Sequence, residues 1–261
     1  MDSSSQQDQA ERIGLLCLDE TLPNLWPRGS LADPDLLPAP TSAAIVPSAT
    51  LNTLLERPQA LANAYVEAAK DLVHDGATLV TSNCGYTVAF QQELATRCRV
   101  PVVTSSLLLL PFILASLPRQ SKVAILCFDS EKLLPDHLRC AGAEGLKDRI
   151  KLVGLQGTAS WRAITGPAGH YDWHLIGNDL QNLVSGLSAG PYPVGAILIE
   201  CCAFLPFQGA IEDLVGCPVY GLPQAIELAL PDACKPSRPE NAARSFDELQ
   251  MLERPNIPRR C

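Results

Sequence analysis

Short apolar runs alternate with segments of helical spacing along most of the chain. In the first half the runs fall at 12–18, 42–46, 77–82 and 100–104, with helical patterns near 58–74, 86–97 and 107–117. The second half repeats the arrangement, with runs at 122–128, 150–154, 195–200 and 217–220 and helical patterns near 130–141, 175–187, 206–215 and 222–230. Strands that are apolar on both faces and separated by amphipathic segments predict a parallel sheet covered on each side by helices. Pro58 suits the opening turn of its helix. Two stretches lack either period: 22–41, which holds five prolines, and the polar and aromatic 155–174, containing His170, Tyr171, Trp173 and His174. Both are read as long loops, one per half, of the kind that covers a substrate.

The two halves are echoes of each other. IGLLCLDET at 13–21 returns as VAILCFDSE at 123–131, GATLVTSNCGY at 76–86 as GAILIECCAF at 195–204, and VPVV at 100–103 as CPVY at 217–220. Three landmarks in the same order predict two topologically similar lobes. The fold class expected is therefore α/β, with two pseudo-symmetric lobes, each a mainly parallel sheet flanked by helices, and an active site in the cleft between them. The boundaries read as an N-terminal tail at 1–11, a first lobe at 12–118 completed by 221–240, a second lobe at 119–220 and a C-terminal tail at 241–261.

Composition narrows the partners. With 20 Lys and Arg against 28 Asp and Glu, a net charge of −8 and no basic cluster outside the tail, the chain is not expected to bind nucleic acid. The greasiest stretch, 100–117, is interrupted by Thr104, Ser105, Ser106, Pro111 and Ser116, so no membrane span is expected. MDSSSQQDQA at the start has neither a basic end nor an apolar core, which predicts no export and a cytoplasmic protein. The ten cysteines then read as thiols rather than disulfides, and none has zinc-ligand spacing. No cofactor or metal is called for, and self-association into a homo-oligomer is left open.

The chemistry concentrates at two strand ends. In open parallel sheets, ligands bind beyond the carboxyl ends of strands, where helix N-termini present free N–H groups. Cys84 follows the run ATLV in TSNCGY, and Cys201 follows AILIE in ECCAF, so equivalent cysteines face one cleft. Inverting a carbon acidified by a neighbouring carboxylate or carbonyl needs a base on one face and an acid on the other. A thiol serves both roles once helix N–H groups favour its thiolate. Backbone N–H groups of 84–86, including Gly85, and of 201–203 are expected to hold the enolate, together with Thr81, Ser82, Asn83 and Ser105. Asp19 is a candidate for orienting a substrate amine, Tyr86 for lining the site, and Cys202 for an alternative acid.

These residues resemble the aspartate/glutamate racemase superfamily, which includes aspartate, glutamate and hydantoin racemases, maleate cis-trans isomerases and arylmalonate decarboxylases. The similarity lies in 12–19, in GATLVTSNCGYTVAFQQELA running into VPVVTSSLLLLP, and in VGAILIECCAFLPFQGAIEDLVGCPVYGLPQAIELA. It implies that Cys84 and Cys201 act as opposed acid and base without pyridoxal phosphate or metal. Relatives often read E-C-T-N-M-P at the second motif, whereas this chain has Cys202 and Ala203 in place of Thr and Asn. Phe204, Leu205 and Phe207 follow, so the substrate is expected to carry a less polar side group than aspartate. The function expected is a racemase or epimerase acting on an amino acid, a hydantoin or a related carbon acid with a carboxylate or carbonyl. A carboxylate isomerase or malonate-type decarboxylase is the alternative.

Overall fold

The computed structural model describes residues 11–19, 29–31, 33, 35–166, 169, 171–189 and 193–230. The expected tails beyond these, the loop residues 22–28, His170, Cys234 and Cys261 lie outside the described residues. Two four-stranded parallel sheets form the frame. The first contains β1 (Ile13–Cys17), β2 (Thr41–Ile45), β3 (Leu79–Ser82) and β4 (Val102–Val103) in the order β2-β1-β3-β4. The second contains β5 (Lys122–Cys127), β6 (Ile150–Gly154), β7 (Val194–Ile199) and β8 (Val219–Tyr220) in the order β6-β5-β7-β8. The strand order is the same in both, as the internal repeat predicts. Central β1 and β3 are buried along their whole length, while edge strand β2 alternates between exposed and half-buried residues.

Helices α1 (Leu51–Glu56), α2 (Ala62–His74), α3 (Gln91–Arg97) and α4 (Leu110–Ser116) belong to the first half of the chain. The second half carries α5 (Pro135–Cys140), α6 (Ala159–Thr165), α7 (Trp173–Ser185), α8 (Gln208–Val215) and α9 (Leu222–Ala229). On α2 the buried residues Tyr65, Val66, Ala69 and Leu72 recur at helical spacing, which turns one stripe onto the sheet. Although α9 ends the described chain, it packs back on β4 and on the 3-10 turn Ser106–Leu109.

The expected loop 155–174 needs correction. It contains α6, because the Thr158 side chain accepts the Trp161 N–H and so caps a helix that the apolar spacing does not announce. Asp172 likewise accepts the His174 and Leu175 N–H groups, so Trp173 and His174 begin α7 rather than precede it. Sequence spacing also misses α1, which Thr50 caps, and overextends the helix expected at 130–141.

Candidate active site

The sheet ends are built alike. One residue after β3, the Asn83 N–H donates to the Leu16 carbonyl at 3.0 Å, and one residue after β7 the Glu200 N–H donates to the Leu126 carbonyl at 2.8 Å. Cys84 and Cys201 come next. Each stands, in extended backbone, immediately before a 3-10 helix, Gly85–Phe90 or Cys202–Phe207, that runs on into α3 or α8. A glutamine then ties each loop to the neighbouring strand: Gln91 donates to the Val102 carbonyl at 2.8 Å, and Gln208 to the Val219 carbonyl at 3.0 Å. Neither cysteine side chain caps the helix that follows it.

Contacts between the halves converge on the same place. The Tyr86 hydroxyl donates to the Asp129 carbonyl at 2.9 Å and accepts the Asp129 N–H at 3.2 Å. Buried Ser106 donates to the Ile199 carbonyl at 2.6 Å, at the end of β7. Gly85 lies against Glu200: a Cβ there would fall 2.5 Å from the Glu200 carbonyl oxygen and 2.7 Å from its Cδ. Only glycine allows that approach. Cys84 also lies close enough to Cys201 and Cys202 to raise both thiols electrostatically.

The charge balance departs from the sequence expectation. Cys201 keeps partial exposure, yet burial raises its thiol well above the usual range, and Glu200, Cys202 and Cys84 add to the rise. The Ala203 backbone amide works the other way without prevailing. Burial, then Cys84 and Glu200, also raise buried Cys202. Desolvation therefore outweighs the favourable backbone N–H at Cys201 in the resting site.

Several polar residues expected to face a substrate already have bonds within the protein. Thr81 donates to the Val103 carbonyl at 2.7 Å, Ser82 pairs with Thr87 at 2.9 Å, and Ser105 accepts the Leu107 N–H at 3.2 Å. Asn83 accepts the Leu18 N–H at 3.1 Å. Exposed Asp19 accepts the Ser48 N–H at 2.9 Å, which fastens the chain after β2. Ala203 is buried, and Phe207 packs against Gly177 of α7. Cys17 and Cys127 are buried in the core, with burial pushing Cys17 up to about 11.

Sequence reasoning overlooks Glu200. Its side chain is buried, both carboxylate oxygens lack a hydrogen-bond partner among the described residues, and burial pushes its carboxyl up to about 8. An acidic residue ending an apolar strand run was the available signal. None of the described cysteines is joined in a disulfide, and no group of three or more His, Cys, Asp or Glu among the described residues is placed to hold a metal ion. No described helix is long and apolar enough to cross a membrane.

No protein-family model matches the chain. A dimethylsulfoniopropionate lyase from Durusdinium sp. clade D is 30% identical over 148 residues, which cover 56% of this chain and 49% of that protein. The chain thus spans about half the length of that curated relative. Among solved structures, allantoin racemase from Klebsiella pneumoniae aligns with a TM-score of 0.57 at 13% identity, over 84% of this chain and 86% of its own. Arylmalonate decarboxylase aligns with a TM-score of 0.52 at 17% identity, over 91% and 99%. A glutamate racemase isoform from Bacillus anthracis gives 0.54 at 11%, over 84% and 80%. Two parallel sheets of one repeated strand order, aligned with these structures over 84–91% of the chain, give it the α/β fold that the two racemases and the arylmalonate decarboxylase share.

Proposed function

We propose that the chain is a cofactor-independent enzyme that moves a proton at a carbon next to a carboxylate or carbonyl, with Cys84 and Cys201 approaching that carbon from the two lobes. The observation that carries this reading is the matched placement of the two cysteines, each following the equivalent strand of its sheet and preceding a 3-10 helix. One thiol, as thiolate, takes the proton, and the electron pair passes into the carboxylate as an enediolate held by backbone N–H groups.

The fate of that intermediate depends on the substrate. Where the β-carbon carries a dimethylsulfonium group, the electron pair returns to form a carbon-carbon double bond and dimethyl sulfide leaves. Dimethylsulfoniopropionate would then give acrylate, dimethyl sulfide and a proton. Likeness to a lyase of that name makes this elimination the first reading. The second reading, racemisation, is favoured by the paired cysteines: without a leaving group, the opposed thiol returns a proton to the other face and the centre inverts.

The test incubates the purified chain with dimethylsulfoniopropionate and, separately, with aspartate, glutamate, 5-substituted hydantoins and arylmalonates in deuterium oxide. Gas chromatography reads dimethyl sulfide, and NMR with chiral analysis reads exchange and inversion. We expect dimethyl sulfide release, reduced at least about 100-fold in C84S. Absence of elimination, exchange and inversion on every compound overturns the reading, as does an undiminished rate in both C84S and C201S.

A further inference from the structure

Asp129 and Glu200 are the buried acids among the described residues. Asp129 accepts the Glu131 N–H at 2.9 Å. Glu200, at 1% exposure, has no hydrogen-bond partner for either oxygen among the described residues. It precedes Cys201 in the chain, while a Cβ on Gly85, the residue after Cys84, would meet its Oε1 and its Cδ. The carboxyl thus lies where the two cysteine loops meet. As a carboxylate it finds no donor among the described residues, and as an acid no acceptor. A buried polar group that the fold leaves unsatisfied is costly and calls for a partner.

We infer that Glu200 is the counter-charge for a cationic centre on the substrate, and so selects small carboxylates that also carry an ammonium or sulfonium group. The inference rests on the proton-transfer reading above and names the residue that chooses among its substrates. Hydantoins and arylmalonates, which carry no such cation, fall outside it.

The surroundings supply no positive charge of their own. Tyr86 reaches this carboxyl from the 3-10 helix after Cys84, Cys127 from the end of β5, and Cys201 and Cys202 from its own loop. Asp129 stands behind Cys127, and burial holds the His137 ring, 5.5 Å from Tyr86, towards its neutral form. None of these groups is a cation. A thiolate and an enediolate formed here add negative charge, which a cation brought by the substrate offsets with the strength that low-dielectric surroundings give. Asp19, the acid that the sequence offers for a substrate amine, is exposed and instead accepts the Ser48 N–H. Burial pushes the Glu200 carboxyl up to about 8, so it holds its proton at neutral pH in the free protein. A cation bound against it favours the carboxylate, and the proton passes to the solvent.

The experiment measures binding without turnover. The probes are 3-(trimethylammonio)propionate, its neutral isostere 4,4-dimethylpentanoate, and aspartate as the primary ammonium. Each is titrated calorimetrically into full-length wild type and E200Q near pH 7, in two buffers of different ionisation enthalpy. Wild type is expected to bind a cationic probe at least about 10-fold more tightly than the isostere, releasing most of a proton as it does so. The tighter of the two cationic probes tells an onium from an ammonium substrate. In E200Q the preference falls to about 3-fold or less and the proton release disappears. Circular dichroism checks that E200Q is folded, and the wild-type preference and proton release stand without it. Equal binding of cation and isostere by wild type, binding of none of the probes, or a preference kept in folded E200Q overturns the inference. So does cation binding without proton release, and a Glu200 acid that donated to the substrate carboxylate would behave in that way. Dimethyl sulfide release or inversion alongside such results leaves the proposed function standing, whereas cation-selective binding with no turnover of any compound removes the function and keeps the counter-charge.

Discussion

Glu200 illustrates how a single residue couples stability to pH. Its folded carboxyl is raised from 4.5 to about 8, so the folded chain holds this proton more tightly than the unfolded chain does. Stability from this group is therefore greatest below the unfolded value, falls as pH rises from about 4.5 to 8, and is level above. The difference in unfolding free energy between E200Q and wild type should shift in favour of E200Q by a few kcal/mol between pH 4.5 and 8.5. Urea denaturation at those two pH values measures it, and a pH-independent difference would show that the carboxyl ionises freely in the fold.

At the scale of elements, the glutamine ties explain why the cysteine loops hold their shape. Gln91 serves three groups on the strand it faces, donating to the Val102 carbonyl and accepting the Thr104 N–H and hydroxyl at 3.1 and 2.7 Å. Gln208 is bonded to the Val219 carbonyl at 3.0 Å and to Gln224 at 3.4 Å. Leucine at either place leaves strand groups without partners, a cost of about 1–3 kcal/mol for a buried group. Thermal and urea unfolding of Q91L and Q208L should show both destabilised, Q91L more. The phrase FQ occurs at both 90–91 and 207–208 in the chain, yet its meaning depends on where the next strand lies. Helix α6 teaches the converse lesson. Its Thr158 cap was written in the sequence but overshadowed by the weak apolar period that follows.

For the whole molecule, the passage from the first sheet to the second is fastened by one guanidinium. Arg149, just before β6, donates to the carbonyls of Leu114 at 2.7 Å, Pro118 at 2.9 Å and Ser121 at 3.1 Å, and to Leu117 at 3.4 Å. A lysine ammonium cannot reproduce this planar fork. R149K should therefore cost about 1–3 kcal/mol in urea unfolding. An equally stable R149K would show that these carbonyls are satisfied without the fork.

The sequence by itself determined the strands, their parallel class, the duplication and the strand-end place of both cysteines, because each depends on local periodicity or on similarity between the halves. Buried runs such as IGLLC and VAILC are legible wherever they stand, since a central parallel strand is apolar on both faces. Tertiary structure alone decided which polar groups remain available and what charge the site tolerates. Tyr86 meets Asp129 across 43 positions, and Ser106 meets Ile199 across 93. Glu200 is buried with Gly85, from the other half of the chain, lying against it. Hydrogen-bond partners and desolvation are properties of neighbours in space, so a linear pattern can place a cysteine at a site while its readiness to ionise is set by distant residues.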